Sequence, residues 1–194
     1  MKLCGLTGGV GMGKSTAVGF LRNRGICVVD TDDLAHQLVQ PGQPALTKIQ
    51  AQFGSTIITA DGQLRRGELA RLVFADPAAR QKLEAILHPC IREAWLSKIQ
   101  LWRQEGCPLA FVTIPLLFET AAESHFDKIV CVACSPAVQH QRLLARGWPA
   151  AQIPQRIAAQ WPVETKIARS HFVVWTDGDL AVHGQQWERI LCRL

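Results

Sequence analysis

The feature that most constrains this chain is a strand, a glycine-rich turn and a helix, in that order, at its beginning. Residues 2–6 (KLCGL) are typical of a buried strand, and residues 14–24 have helical spacing that stops before Gly25. Four glycines fall within residues 8–13 between them. Because ordering so many glycines costs backbone entropy, the turn must serve a contact that only glycine permits.

Residues 8–15 (GGVGMGKS), called the phosphate loop below, match the pattern G-x-x-x-x-G-K-[ST]. Backbone N–H groups of such a loop wrap a triphosphate, and the N-terminus of the following helix faces the same anion. We expect Lys14 to reach the β- and γ-phosphates, Ser15 to ligate Mg²⁺ and Thr16 to support the α-phosphate. The alternative is a glycine-rich turn with an idle lysine, which the position between strand and helix disfavours. The chain is therefore predicted to bind ATP or GTP, through Gly9, Val10, Gly11, Met12, Gly13, Lys14, Ser15 and Thr16.

The rest of the chain alternates strands with helices, which favours a mainly parallel sheet. We predict the P-loop NTPase class, a three-layer α/β/α fold with a helical substrate-binding insertion and a helical lid. The predicted strands are residues 2–6, 26–30, 109–114, 128–133 and 171–176.

Two helical excursions interrupt the alternation. The first has helical spacing over residues 65–74, 76–87 and 89–104, with Asp76 as N-cap and Pro77 as first helical residue of the second helix. The other spans residues 135–166, is basic and is broken by Pro149, Pro154 and Pro162, which is typical of a mobile helical hairpin. The predicted division is a nucleotide-binding core (1–54, 99–140 and 167–194), a helical insertion (55–98) and a lid (141–166).

Composition indicates an anionic partner but does not distinguish between nucleotides, coenzymes and nucleic acid. The chain is 48% hydrophobic and 19% charged with a net charge of +5, which suits a soluble enzyme with an anionic partner. No signal peptide is visible, and the longest apolar run, residues 108–118, is about half the length of a membrane span. We expect a cytoplasmic protein that binds neither membrane nor nucleic acid, with a monomer favoured.

Seven cysteines do not resemble a disulfide framework. Cys131 and Cys134 form a lone C-x-x-C without a second pair, so buried thiols on a core strand are favoured over a zinc site.

The missing motifs favour a small-molecule kinase among nucleotide-binding proteins. A GTPase requires N-K-x-D, but the only asparagine is Asn23, and D-x-x-G is also absent. The chain is too short for a helicase or transporter ATPase core. A small kinase with a lid remains.

Six stretches, in order, resemble the dephospho-coenzyme A kinase family: GLTGGVGMGKST, VVDTDDLAHQLVQPG, GQLRRGELARLVFAD, LEAILHPCIRE, IPLLFE and RLLARGWPAAQIPQRIAAQWPVETK. The resemblance implies transfer of the γ-phosphoryl group of ATP to the ribose 3′-hydroxyl of dephospho-coenzyme A, with Mg²⁺, in the last step of coenzyme A biosynthesis. Two alternatives stay open. They are a P-loop kinase for a nucleoside or sugar, and a non-catalytic ATP-binding relative.

The resemblance also implies catalytic roles for Asp32, Lys14 and Arg142. Asp32 occupies the position of the aspartate that orients the ribose hydroxyl and accepts its proton. Its alternative role is N-cap of the following helix, and Asp30 and Asp33 are weaker candidates for the base.

Cations on the lid are expected to meet the transferred phosphoryl group. Arg142 is the first candidate and Arg146 the second, with a solvated basic face as the alternative. Arg156, Gln160 and Lys166 match further lid positions and either contact nucleotide or orient the lid.

The predicted substrate-binding residues come from the family's patterns. Arg66 is expected to meet a phosphate, the apolar members to be either contacts or core, His88 to be a ligand contact or a cap, and Glu119 to lie in the site or anchor its loop. The full set is Thr7, Asp32, Leu64, Arg66, Phe74, His88, Pro89, Arg92 and Glu119.

Several positions depart from the family's patterns. Thr113 replaces an aspartate before PLLFE, while His36 and Arg65 replace an arginine and an aspartate. Trp175 and Thr176 stand where an acid and an amide are usual, which weakens the transfer of adenine contacts; Trp175 is either a stacking partner for adenine or a strand-end core residue.

Overall fold

The structure is a computed structural model that describes residues 1–194 apart from the side chain of Phe74. The predicted coenzyme contact of Phe74 therefore lies outside the described residues. The chain forms two compact units, Met1–Asp30 with Trp102–Leu194 (the sheet unit) and Thr31–Leu101 (the helical unit).

The sheet unit contains five strands that all run parallel in the order β2-β3-β1-β4-β5. The prediction of a parallel sheet is confirmed, and each observed strand overlaps a predicted one. The strands are β1 (Lys2–Thr7), β2 (Cys27–Asp30), β3 (Leu109–Thr113), β4 (Lys128–Ala133) and β5 (Phe172–Trp175).

Helices connect the strands and fill the helical unit. Along the described part of the chain, none of them is long and apolar enough to cross a membrane. The helices are α1 (Lys14–Asn23), α2 (Thr31–Leu38), α3 (Pro44–Phe53), α4 (Arg66–Ala75), α5 (Pro77–Gln104), α6 (Pro136–Ala145), α7 (Ile153–Ala158), α8 (Val163–Ala168) and α9 (Leu180–Leu191).

The main core of the sheet unit lies around Trp187 of α9. Trp187 is fully buried, and the ring of Phe111 from β3 meets it edge-on with centroids 5.8 Å apart. Leu21 of α1 and Val132 of β4 belong to the same buried cluster. Apolar burial of this kind fixes α1 against the sheet, and so fixes the helix N-terminus that follows the phosphate loop.

One side chain pairs with the outer edge of β5 at Trp175. The amide of Gln186 in α9 accepts a hydrogen bond from Trp175 N–H (2.8 Å) and donates one to the Trp175 carbonyl (2.7 Å). The exposed edge of a terminal strand otherwise presents unpaired backbone groups. Gln186 therefore stands in for a neighbouring strand at this position.

The helical unit has a small core of its own. Val39, Ile49, Ile57 and Leu69 are buried together. An isolated antiparallel bridge joins Ile58 to Leu64, and both residues pack against that core.

The prediction of separate helices over residues 76–87 and 89–104 is wrong, because α5 runs through both and contains Pro89 in its interior. A proline removes one backbone donor and crowds the preceding turn, which is a local cost that a 28-residue helix absorbs. His88 consequently does not cap a helix. The predicted N-terminus is confirmed, since Asp76 Oδ1 accepts from Ala78 N–H at 2.8 Å.

Cys131 and Cys134 lie buried on and just after β4. Burial raises the pKa of the Cys131 thiol to about 11, so it is protonated at neutral pH. Among the described residues, no group of three or more His, Cys, Asp or Glu side chains is arranged to hold a metal ion.

Two glycines at the start of the chain offer a matched test of the fold. Gly8 has φ of 146°, and a Cβ there would lie 2.2 Å from the Val132 carbonyl oxygen. Gly19 lies inside α1 with open space around it. We expect Gly8→Ala to destabilise the protein by about 3 kcal/mol or more through overpacking and backbone strain. Gly19→Ala should stabilise it by about 0.5–1 kcal/mol.

Denaturant unfolding of both variants measures the difference. A Gly8→Ala protein as stable as the parent would contradict the close approach of β4 to the phosphate loop.

Candidate active site

The phosphate loop leaves the carboxyl end of β1 and turns into α1. Gly8, Gly11 and Gly13 all have positive φ, at 146°, 76° and 95°. At Gly11 a Cβ would lie 3.0 Å from the Leu143 side chain, in addition to the strain of the positive φ. The glycines are therefore required by backbone conformation and by close packing, as the spacing predicted.

Lys14 lies over the loop that precedes it. Its Nζ donates hydrogen bonds to the carbonyl oxygens of Gly8 (2.8 Å) and Gly9 (2.9 Å). Ser15 and Thr16, the next two residues of α1, have exposed side chains. The loop thus places an ammonium group and two hydroxyl-bearing residues at one helix N-terminus, a favourable position for an anion.

Two glutamines hold the loop at Val10. Gln139 of α6, which is buried, donates from Nε2 to the Val10 carbonyl at 2.7 Å. Gln160 Oε1 accepts from the Val10 N–H at 2.9 Å. Gln160 was predicted as a lid residue, and its observed contact is with the loop. Gln139 was missed, although it lies three residues before Arg142 and so on the same side of α6.

Arg142 and Thr176 form a junction behind the loop. Arg142 donates to Thr176 Oγ1 (2.8 Å) and to the Thr176 carbonyl (2.5 Å). The Thr176 hydroxyl donates in turn to the Met12 carbonyl at 3.1 Å. The residue that departs from the family's pattern at 176 thus joins the predicted lid arginine to the phosphate loop.

A cavity of about 410 Å³ lies beside this junction. Backbone and side chains of the phosphate loop and α1 form one wall, and both predicted lid arginines contribute to it. Its lining residues are Gly11, Gly13, Thr16, Arg142, Ala145, Arg146, Thr176, Gly178, Leu180 and His183.

His183 is a lining residue that the sequence did not indicate. It is 5% exposed, and its Nε2 accepts a hydrogen bond from Trp187 Nε1 at 3.1 Å. Burial, and then the nearby positive charge of Arg142, lower the pKa of His183. The imidazole is therefore neutral at pH 7 and carries its proton on Nδ1.

Lys166 and Glu119 form a buried ion pair with Nζ and Oε1 2.8 Å apart. Lys166 is fully buried and also donates to the Pro115 carbonyl at 2.7 Å. Glu119 Oε1 accepts from Trp161 N–H at 2.9 Å. Thr7 is buried beneath them and donates to the same Pro115 carbonyl at 3.3 Å. Lys166 and Glu119 thus tie the segment before and within α8 to the loop after β3.

Arg156, the remaining predicted lid residue, lies against Trp148. The guanidinium of Arg156 lies 4.2 Å from the centroid of the Trp148 ring, a cation–π distance.

Trp175 is 44% exposed at the end of β5. The interpretation of Trp175 as a strand-end core residue is therefore wrong, and its indole is accessible.

Asp32 lies in the helical unit, two residues after the last residue of β2. Because α2 begins at Thr31, Asp32 and Asp33 are in its first turn rather than at an N-cap. Both side chains are exposed, and negative charge in this position is favoured by the helix dipole.

The other predicted coenzyme contacts, apart from Thr7 and Glu119 of the sheet unit, also lie in the helical unit. Arg66 approaches the His36 carbonyl at 3.5 Å, and Arg65 donates to the Ile58 carbonyl at 3.2 Å. His88, Pro89 and Arg92 are exposed along α5, with His88 and Arg92 one helical turn apart.

Comparison with known proteins agrees with this geometry. The family described as Dephospho-CoA kinase matches residues 2–181. A dephospho-CoA kinase of Anaeromyxobacter dehalogenans is 44% identical over 195 aligned residues, which cover 100% of this chain and 92% of that protein.

Solved structures give the same result for the fold. A Thermus thermophilus protein superposes with a TM-score of 0.85 at 31% identity, covering 100% of this chain and 97% of that one. A dephospho-CoA kinase of Campylobacter jejuni gives a TM-score of 0.74 at 24% identity, with the same coverage. From the family match and the identity of its relatives, the chain belongs to the dephospho-CoA kinase family.

Proposed function

We propose that this protein transfers the γ-phosphoryl group of ATP to the ribose 3′-hydroxyl of dephospho-coenzyme A, the last step of coenzyme A biosynthesis. The observation that carries the proposal is a correctly folded phosphate loop with Lys14 over it, in a chain of the dephospho-CoA kinase family. ATP is the donor and dephospho-coenzyme A the acceptor.

The phosphate loop is proposed to hold the triphosphate. Lys14 exchanges its bonds to the Gly8 and Gly9 carbonyls for phosphate oxygens, and the backbone N–H groups at the N-terminus of α1 face the same anion. The exposed Ser15 hydroxyl fits Mg²⁺, because Mg²⁺ prefers oxygen ligands and keeps phosphate and water in its remaining positions. When bound, Mg²⁺ neutralises phosphate charge.

The cavity beside the Arg142–Thr176 junction is proposed to receive the nucleoside of ATP. Its volume of about 410 Å³ lies within the range of ordinary small-molecule sites. Leu180 supplies an apolar surface for the adenine base. His183 supplies a polar surface and is neutral, so it places no charge beside the base. Arg142 and Arg146 line the same cavity and provide positive charge for the phosphates.

Asp32 is proposed to orient the ribose hydroxyl and accept its proton. Its carboxylate is exposed on the first turn of α2, as a group that meets a substrate must be. Arg66 and Arg92 are proposed to bind phosphate groups of the coenzyme, with Leu64, His88, Pro89 and Phe74 as further contacts. The division into core, insertion (55–98) and lid (141–166) stays part of this proposal.

Gln160, Lys166 and Glu119 are proposed to hold the lid in position rather than to contact the nucleotide. Their side chains already bond to the phosphate loop, to the loop after β3 and to each other. Removing either Lys166 or Glu119 would leave the other charge buried without a partner. The lid segment would then shift, so these residues would affect catalysis through the position of the lid.

Nucleotide turnover with defined acceptors tests the function. ADP production from ATP and Mg²⁺ should require dephospho-coenzyme A and should yield coenzyme A. Lys14→Ala should lower the rate about a hundredfold or more, because its charge no longer follows the γ-phosphoryl group through transfer. Shikimate, gluconate and adenosine serve as control acceptors. Acceptor-independent turnover, or preference for a control acceptor, would refute the proposal.

Asparagine at position 32 tests the base. Asp32→Asn keeps the size of the side chain but cannot accept a proton at neutral pH, so kcat should fall by roughly two to four orders of magnitude. The melting temperature should stay near that of the parent. Asp33→Asn is the matched control, since it removes the neighbouring exposed carboxylate of the same turn. Equal activity of parent and Asp32→Asn would move the base to Asp30 or Asp33.

Substitutions at the Arg142–Thr176 junction distinguish the effect of the Arg142 charge from the effect of its hydrogen bonds to Thr176. Arg142→Ala should lower kcat more than it raises KM for ATP, because its contact strengthens as charge develops. Thr176→Val removes the hydroxyl bonded to Arg142 and Met12 but keeps the guanidinium of Arg142. The fall in kcat should therefore be smaller than that of Arg142→Ala. Arg189→Ala, an exposed arginine of α9, is the control. An effect on KM alone would mean that Arg142 binds ground state and transition state equally.

A further inference from the structure

Cys27 and Cys107 bring two thiols together in the sheet unit. Their sulfur atoms are 2.9 Å apart, although 80 positions separate the residues along the chain. Cys27 is the first residue of β2, and Cys107 lies two residues before β3 begins. Both cysteines are free thiols and are half-buried.

We propose that Cys27 and Cys107 are a site of reversible oxidation, at which a low-molecular-weight disulfide such as oxidised glutathione converts the two thiols into one intramolecular disulfide. A disulfide bond is about 2.0 Å long, so the sulfurs need approach by only about 1 Å. This proposal does not depend on the proposed enzymatic activity.

Backbone pairing keeps both residues in place for this reaction. Cys27 pairs with Ala110 in the register of β2 and β3. The Cys107 N–H donates to the Trp102 carbonyl at 2.9 Å, which fixes the turn before β3. The two sulfurs therefore meet because neighbouring strands begin side by side, and the contact does not need a flexible segment to move.

The reaction balances in two exchange steps. One protein thiolate attacks a sulfur of glutathione disulfide and releases a first glutathione thiolate, which forms a mixed disulfide. The second protein thiolate attacks the protein sulfur of that mixed disulfide and releases the second glutathione. Two protein thiols are oxidised, one disulfide is reduced to two glutathione thiols, and the protons pass to the released thiolates.

The surroundings of Cys27 disfavour its thiolate at neutral pH. Burial, and then the hydrogen bond with Cys107, raise the pKa of Cys27 to about 11. A thiol with so high a pKa is a poor source of thiolate at neutral pH. The exchange is therefore expected to run faster as the pH rises from neutral towards this pKa.

The position of the pair defines what oxidation would change. The strands are parallel, so Cys27 lies at the amino end of the sheet and the phosphate loop at the carboxyl end. The chain between Cys27 and Cys107 contains the whole helical unit. A disulfide would close that long loop covalently, which restricts the unfolded chain while leaving the phosphate loop unaltered.

Peptide mapping after oxidation tests the site directly. The purified full chain is treated with oxidised glutathione at pH 8.5, alkylated and digested with trypsin. Peptides 25–48 and 104–128 each contain one cysteine and should be recovered as a linked pair that dithiothreitol separates. Cys27→Ser should leave a glutathione adduct on Cys107, and Cys90→Ser, with a half-buried thiol in the helical unit, is the control that should still cross-link.

Thermal melting gives a second readout. The oxidised parent should melt several degrees higher than the reduced parent, and this difference should be absent in Cys27→Ser and Cys107→Ser. Phosphoryl transfer by the oxidised protein should stay within about twofold of the reduced protein. Stable glutathione adducts without the 27–107 link, a link between other cysteines, or unreacted thiols after full equilibration would each overturn the proposal.

Discussion

The close approach of β4 to the phosphate loop is the contact on which the rest of the structure depends. The chain leaves β1 at Gly8 against the carbonyl of Val132, where there is no space for a side chain. This approach turns the loop over the end of the sheet and into α1. The burial of α1 around Trp187 then fixes the helix N-terminus, so loop, helix and sheet specify one position for a phosphate.

Neutral side chains from other elements hold the phosphate loop in place, which leaves the Lys14 ammonium group to interact with a ligand. Gln139 and Gln160 bond the two sides of Val10, and the hydroxyl of Thr176 bonds Met12. An amide or a hydroxyl can fix a backbone group without adding a field that would compete with a polyanion. The Lys14 ammonium donates to two carbonyl oxygens, groups that a phosphate oxygen can replace.

The local features of the site could be predicted from the sequence, and the tertiary ones could not. The phosphate loop and the parallel strands follow from glycine spacing and apolar runs, which are short-range signals. Gln139 and His183 enter the site only because α6 and α9 pack beside the loop, which no local pattern encodes. The prediction of a helix boundary at Pro89 is wrong because proline usually ends a helix, whereas packing on both sides of it maintains α5. The roles of Asp32 and the coenzyme contacts stay predictions.

Gln186 has a consequence for how molecules of this protein meet one another. A terminal strand is a template on which a second chain can add a strand and begin aggregation. By taking both backbone groups of Trp175, Gln186 removes one rung of that template beside the exposed Trp175 indole. Gln186 thus disfavours the addition of a second strand at the place on β5 where an aromatic surface and an open strand edge would otherwise coincide.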